Sequence, residues 1–234
     1  MPDSAIPPVD DHDWAVRWVG AQRDVLGGDV SGKIALATLT AVPHLYALGP
    51  RESLCGEVTV FDGVPSIARV AGGGLLIDAS FDHRACFLVY AAVAEWDDAT
   101  CSEPLSGFPA IEAAVVAAAR ECGIDVGAPF PFRVTGLAER LVLHVLDKRD
   151  GLPHTPERHE HAKVRFAVSG ETVEAIGFFS TAHRGIFTPK DDNVHMHVRT
   201  TDGRLSGHLD ELALSADALL WLPRTRGGKG DQRS

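Results

Sequence analysis

The sequence predicts an α+β protein in which antiparallel and mixed β-sheet predominates over a few helices. Short alternating or apolar segments typical of strands recur along the chain, and only two stretches have helical periodicity. Residue pairs such as Asp62-Gly63 and Ser169-Gly170 mark tight turns between consecutive strands. The chain has no regular alternation of strand and helix, so a doubly wound parallel sheet is not expected.

The first expected element is a helix near the N-terminus. Residues 1–10 contain three prolines and are expected to form a loose lead-in. An N-cap at Asp11 or Asp13 then begins an amphipathic helix that Gly27-Gly28 ends. The helix is defined by apolar residues at helical spacing: Trp14, Trp18, Ala21 and Val25. Segment 34–48 is compatible with a helix, a strand or one followed by the other, because Pro43 interrupts it.

Strands are expected through most of the remaining chain. Segment 54–61 alternates and forms a hairpin with 67–70, and the apolar run 84–94 is typical of a buried strand. Pro109, in a first turn, opens an Ala-rich helix over 110–122 that Gly123 closes. Further strands are expected at 130–135, 140–146, 163–169 and 172–179.

Three regions follow from these elements. Residues 1–30 form the lead-in and its helix, and residues 31–223 form one domain, either undivided or split near residue 125 into two sheet subdomains. Residues 224–234 form a basic, Gly-rich tail that is expected to be disordered.

Composition excludes several classes of function. The 234 residues have a formal net charge of −10, which argues against sequence-independent nucleic-acid binding. No run of 18 apolar residues is present to span a membrane, and the acidic, Pro-rich N-terminus differs from a secretory signal. We therefore expect a cytoplasmic protein. Its four cysteines form no C-x-x-C pair, and neither a phosphate-binding loop nor a G-x-S-x-G motif occurs. The unusual number is 11 histidines against 2 methionines.

Three histidines are predicted to meet on one β-hairpin. His195 and His197 alternate with apolar residues, so a strand places both imidazoles on one face. Asp202-Gly203 favours a two-residue turn, and counting outward from it places His197 directly opposite His208. Directly paired residues have Cβ atoms roughly 4.5–5.5 Å apart. Met196 and Leu209 then face the core on the other side.

Such a cluster is suited to a divalent metal ion. Three imidazoles can bind Zn²⁺ and leave at least one coordination position open, as in catalytic sites. Iron, nickel, copper or cobalt are alternatives, and the competing interpretation is a polar strand face with solvated histidines. A second group is expected to lie in an exposed loop without a metal: His154, His159 and His161.

The hairpin and several upstream segments resemble the α-acetolactate decarboxylase family. The resemblance extends over about residues 31–215, and its motifs keep the family's order and spacing. The matching segments are Leu54-Cys55-Gly56-Glu57-Val58, Phe61-Asp62-Gly63, Phe132-Arg133-Val134-Thr135-Gly136, Ile176-Gly177-Phe178, Val194-His195-Met196-His197 and Ser206-Gly207-His208-Leu209-Asp210.

This resemblance implies the acetolactate decarboxylase-like fold and a reaction. It implies zinc-dependent decarboxylation of a small anionic 2-hydroxy-3-keto acid, of the acetolactate-to-acetoin type, through a metal-stabilised enediolate. Glu57 is the implied acid/base, and Arg133 is the best available cation for the substrate carboxylate. The metal would be held by the hairpin histidines, and a homodimer is compatible with such an enzyme.

The sequence also departs from the family pattern. Cys55 replaces an aspartate and His144 an active-site arginine. The family's longer C-terminal segment supplies a further glutamate, whose place Glu211 or Asp210 could take. The alternative function is therefore a metal-binding protein of the same fold with lost or altered activity. A cupin-like metalloenzyme ranks last, because the glutamate that cupins place shortly after the second histidine is missing.

Overall fold

The structure, a computed structural model, describes residues 14–101 and 103–225. The expected lead-in, the N-cap at Asp11 or Asp13 and most of the expected tail lie outside these residues. Three helices are present in the described part: α1 Gln22–Leu26, α2 Gly107–Glu121 and α3 Pro156–Ala162. No helix in the described ranges is long and apolar enough to cross a membrane.

Strands predominate over helices in the described chain, as predicted. Segment 34–48 contains a strand, a short 3-10 helix and the start of a second strand, so it holds both expected element types but in three pieces. In chain order the strands are β1 Arg17–Val19, β2 Ile34–Ala35, β3 Leu45–Pro50, β4 Glu57–Phe61, β5 Val64–Ala71, β6 Gly74–Asp78, β7 Arg84–Ala85, β8 Leu88–Ala92, β9 Trp96–Thr100, β10 Phe130–Leu146, β11 Lys163–Val168, β12 Glu171–Phe179, β13 Val194–Thr200, β14 Ser206–Leu214 and β15 Leu219–Pro223.

The first sheet has six antiparallel strands in the order β1-β8-β3-β4-β5-β6. The predicted β4–β5 hairpin is confirmed, with Phe61 paired to Val64. Asp62 and Gly63 have φ of 47° and 75°, so both adopt the left-handed conformation that a two-residue hairpin turn requires. This sheet supplies Glu57, the first residue of β4.

The second sheet contains seven strands, and β10 is its centre. The strands expected at 130–135 and 140–146 are one continuous strand of 17 residues, which corrects the prediction of two. β10 pairs with both β12 and β14, and β13 lies between those two strands, so these four close a ring of antiparallel pairings. Register shifts in the β10–β14 ladder provide the bend that such a closure needs.

The last strand of the first sheet ends at Ala92, and the first strand of the second sheet begins at Trp96. The two sheets pack through a shared apolar cluster that includes Phe61 and Phe87 from the first half and Phe178 from β12. The predicted helix at 110–122 is confirmed as α2, which packs its buried face on the second sheet. The packing of the two sheets on each other brings β4 next to the histidine hairpin.

The helix expected from Asp11 or Asp13 up to Gly27-Gly28 is wrong for residues 14–21 and confirmed only for its last turn. Trp18 lies in β1, which pairs with β8, and only Gln22–Leu26 is helical. Gly20 has a φ of 73°, and a Cβ there would lie 2.7 Å from the carbonyl oxygen of Cys86. Pairing with β8 therefore outweighs the helical spacing of the apolar residues, and Gly20 turns the chain into the shorter helix.

Gly177 is expected to be essential for packing within the ring. A Cβ at this position would lie 2.2 Å from Cζ of Phe132, on the adjacent β10. We expect Gly177→Ala to lower the free energy of unfolding by about 1–3 kcal/mol, because a buried phenyl ring must shift. Urea denaturation measures this change. Gly74→Ala is the matched strand control, since its Cβ would approach only the Ala71 carbonyl at 4.0 Å; equal losses in both variants would contradict the prediction.

Candidate active site

The hairpin of β13 and β14 has the predicted register, with His197 opposite His208. Its turn differs from the expected one. Of Asp202 and Gly203 only Gly203 has a positive φ, and the Thr200 N–H donates to the Leu205 carbonyl at 3.0 Å, closing a four-residue loop. A two-residue and a four-residue loop centred on the same residues give the same pairing, so the predicted register holds.

The three hairpin imidazoles converge. His195 and His197 are buried, and His208 is partly exposed where it lines a cavity. Nε2 of His195 lies 3.1 Å from Nδ1 of His208, and one nitrogen from each ring lies within 4.8 Å of the others. Two nitrogens that bind one tetrahedral zinc at its usual bond length are separated by about 3.3 Å. The donor set and its spacing therefore fit a zinc-type ion.

Neighbouring groups orient two of these rings. Nδ1 of His195 donates to the Phe187 carbonyl at 2.8 Å, which leaves Nε2 as the nitrogen with a free lone pair. Nδ1 of His197 lies 3.0 Å from the hydroxyl of Thr59, a fully buried residue of β4. Such outer contacts fix ring orientation in metal sites.

Burial keeps these histidines neutral. It lowers the pKa of His195 to about 4 and holds the pKa values of His197 and His208 well below the ordinary value. The neighbouring imidazoles add to the shift of His197 and His208 by charge repulsion. All three rings thus have lone pairs available for a metal at neutral pH.

These shifts predict an acid-sensitive stability for the metal-free protein. The unfolded imidazoles bind protons near the ordinary histidine pKa of 6.5, whereas folded His195 does so only near 4. The histidine contribution is therefore fully present above pH 6.5 and is lost as the pH falls towards 4. Urea denaturation with a chelator, at several pH values, measures it.

The control is a His195→Gln, His197→Gln, His208→Gln triple variant, which should show a flatter profile than wild type between pH 6.5 and 4. Subtracting the two profiles removes the opposite contribution of Glu57, whose raised pKa makes stability fall as the pH rises from the ordinary glutamate value of 4.5 to about 8. Parallel profiles would contradict the prediction.

Glu57 lies next to the histidines. Its side chain is buried, and Oε2 lies 3.7 Å from Nε2 of His197. Burial raises the pKa of Glu57 to about 8, against the opposing effect of the Leu146 backbone N–H; Asp210 raises it further. The carboxyl group is therefore mostly protonated at neutral pH and can donate a proton.

A cavity of about 350 Å³ opens over this cluster. Its polar lining includes Glu57, His144, His195, His208, Lys163 and Asp210. Phe87, Leu146 and Phe108 supply apolar wall. The cavity is large enough for a small organic acid and gives it access to both the imidazoles and the Glu57 carboxyl.

Arg133 lies elsewhere. Its guanidinium is 3.4 Å from the Glu174 carboxylate and stacks 5.5–5.7 Å from the ring centres of three aromatic residues. Those residues are Tyr46, Trp96 and Trp221. Arg133 is not among the described residues that line the cavity. This placement does not support a contact between Arg133 and a ligand beside the histidines.

The pairing of His144 with His208 was not predicted, whereas Asp210 was one of the two residues that could take the place of the family's glutamate. His144 is buried and pairs directly with His208 across β10 and β14, with ring centres 4.5 Å apart. Its Nδ1 lies 2.7 Å from Oδ1 of Asp210. The only sequence signal was that His144 replaces a family arginine, because residues 144 and 208 meet through a long-range pairing.

The expectation of an exposed loop at 154–161 is also corrected. Thr155 caps α3, accepting the Arg158 N–H at 3.3 Å, and Pro156 occupies its first turn. His154 is buried, with Nε2 3.2 Å from Nδ1 of His159, and His159 lines the cavity. In the described ranges neither belongs to a cluster that could hold a metal.

Comparison with known proteins supports the fold. No protein-family model and no curated protein matches the chain. Acetolactate decarboxylase from Bacillus subtilis subspecies spizizenii matches with a TM-score of 0.73 and 14% identity, over 91% of this chain and 87% of that one. The Bacillus subtilis strain 168 enzyme gives 0.73 and 14%, over 90% and 86%. A Staphylococcus aureus protein of unknown function, described as similar to that enzyme, gives 0.69 and 11%, over 91% and 86%. The predicted acetolactate decarboxylase-like fold is thus confirmed.

Proposed function

We propose that this protein is a zinc-dependent decarboxylase of a 2-hydroxy-3-keto acid, converting acetolactate or a close relative to an acetoin-type product. The principal support is the juxtaposition of Glu57 with the three imidazoles, 3.7 Å from His197. A buried carboxyl with a pKa of about 8 is the proton donor that such a reaction needs. The fold shared with acetolactate decarboxylases is consistent with this assignment.

In this proposal His195, His197 and His208 hold the metal through one nitrogen each. Bound Zn²⁺, or another divalent transition metal, supplies a Lewis acid that stabilises negative charge on the ketone oxygen. Three protein ligands leave room in the coordination sphere for the substrate. Thr59 and the Phe187 carbonyl keep His197 and His195 in their binding orientations.

Glu57 completes the reaction. The bond between the carboxylate carbon and its neighbour breaks, CO₂ leaves, and the electron pair remains on the neighbouring carbon. The O–H of Glu57 donates its proton to that carbon, and Glu57 regains a proton from solvent, so one proton is consumed per turnover. The apolar cavity walls limit the access of competing water.

The direct test is acetoin formation from 2-acetolactate by zinc-loaded protein, compared with heat-denatured protein to correct for spontaneous decarboxylation. We expect turnover that disappears after chelation and returns with added zinc. Zinc-loaded protein that gives no acetoin above the spontaneous rate would overturn the proposal.

A second candidate is a metal-binding protein of the same fold with lost or altered activity. It is favoured by His144, which occupies the position of a family arginine and is hydrogen-bonded to Asp210 at 2.7 Å. Bound zinc without turnover of 2-acetolactate is the result expected for this candidate.

A further inference from the structure

The cavity over the histidines has a marked imbalance of charge. Two carboxylates line it, Asp192 and Asp210, together with the mostly protonated Glu57, in a protein whose formal net charge is −10. Among the described residues that line it, Lys163 alone is a lysine or arginine. A small organic anion that enters this cavity therefore meets one permanently positive side chain.

Strand pairing fixes the backbone of Lys163 beside the cavity, which its side chain lines. Lys163 follows α3 directly, begins β11 and pairs with Leu146, whose backbone N–H hydrogen-bonds to Glu57. Its side chain is only 20% exposed, which limits the screening of its charge by water. Nζ lies 2.9 Å from the carboxylate of Glu160, a residue on the solvent side with 54% exposure.

The ammonium group has capacity for another partner. It has three N–H donors, and Glu160 also pairs with Arg165, so neutralisation of Glu160 does not depend on Lys163. The charge of Lys163 also acts within the cavity. Burial has the largest effect on both pKa values, raising that of Glu57 and lowering that of His208. The positive charge of Lys163 has a smaller effect and lowers the pKa of both groups.

We propose that Lys163 is a specificity-determining residue that binds the carboxylate of the ligand and selects organic acids over neutral molecules of the same shape. This role rests on the proposed function, because it names the cation for the substrate of that same site. Lys163 takes the role that the sequence predicted for Arg133. Arg133 contacts Glu174 and three aromatic rings, and it is not part of the cavity lining. His159, one helical turn before Lys163, lines the same wall of the cavity.

Two unreactive ligands of matched shape provide the test with zinc-loaded protein. One is 2,3-dihydroxy-2-methylbutanoate, which lacks the ketone and therefore does not lose CO₂. The other is 2-methylbutane-2,3-diol, in which a methyl group replaces the carboxylate. We expect Lys163→Met to weaken binding of the acid by about 10- to 100-fold in calorimetric titration, as for a hydrogen bond to a charged group. Binding of the diol should stay unchanged.

Two controls separate charge from structure. Lys163→Arg should keep the affinity for the acid within a few-fold, because it keeps the positive charge. Lys33→Met, at a partly exposed lysine outside the cavity lining, should leave the affinity for both ligands unchanged. Unchanged acid affinity in Lys163→Met, equal weakening of acid and diol, or no acid binding to the wild-type protein would each overturn the proposal.

The outcome is separable from that of the proposed function. Lys163-dependent acid binding in a protein that makes no acetoin would support the anion site and reject the decarboxylase. Acetoin formation with an unchanged KM in Lys163→Met would reject the role of Lys163 and retain the reaction.

Discussion

Replacing Glu57 with glutamine is expected to reduce kcat for acetoin formation by about 10²- to 10⁴-fold, the usual contribution of a general acid. Glutamine keeps the size of the side chain but has no acidic proton to donate to the carbon that loses CO₂. Zinc content should stay at the wild-type level, since the three imidazoles are unchanged. Steady-state kinetics and metal analysis on the same preparation measure both quantities.

Glu52→Gln is the matched control for this experiment. Glu52 is a partly exposed carboxylate five residues earlier, paired with Arg84 at 3.5 Å, and its replacement should leave kcat unchanged. A Glu57→Gln variant with wild-type kcat would remove Glu57 from the reaction. If both kcat and the zinc content of Glu57→Gln fell, the result would instead indicate that Glu57 helps to hold the metal.

The same proton sets an upper pH limit for the reaction. Glu57 has a pKa of about 8 through burial, and only its protonated form can donate. The rate should therefore fall as the pH rises through the pKa of this group. Bound zinc moves the limit to lower pH, because a nearby positive charge favours the carboxylate. A rate that stays level well above pH 8 would exclude Glu57 as the donor.

His197→Ala is expected to have the second large effect, the loss of the bound metal. We expect wild-type protein to hold about one zinc-type ion per chain and the variant to hold almost none at micromolar zinc, since three-ligand sites tolerate the loss of a ligand poorly. Acetoin formation should disappear with the metal. Mass-spectrometric metal analysis after dialysis measures the occupancy.

His161→Ala is the control for this variant. His161 belongs to the other H-x-H sequence of the chain, is exposed, and is not part of the His195, His197 and His208 group. Its replacement should leave zinc content and activity unchanged. Full zinc occupancy in a protein lacking His195, His197 and His208 together would reject the hairpin as the metal site.

Local sequence patterns were sufficient for the hairpin. Alternation placed His195 and His197 on one face, and a turn centred on Asp202-Gly203 placed His197 opposite His208, as observed. The prediction was robust because a shift of one residue would turn Met196, which is fully buried in the core, towards the histidine face. The exact turn conformation was wrong without consequence for the register.

Local patterns misled where tertiary pairing competes with them. Apolar residues at helical spacing near Trp18 predicted a helix, but pairing with β8 draws this segment into a sheet edge. The strands expected on either side of residue 138 are joined because β12 and β14 continue the pairing along β10. Neither the pairing of β1 with β8 nor the pairing of β10 with β12 and β14 can be predicted from a short window of sequence, because the paired strands lie far apart in the chain.

The sequence by itself determined the antiparallel fold class, the histidine hairpin and, through its resemblance to a known family, the candidate acid Glu57. Only the tertiary structure decided that Glu57 lies beside His197, that His144 pairs with His208, and that Lys163 rather than Arg133 reaches the cavity. A hairpin is specified by neighbouring residues and one turn. The contact of Glu57 with His197 and the pairing of His144 with His208 join residues 140 and 64 positions apart, and this geometry exists only once two sheets have packed and four strands have closed a ring.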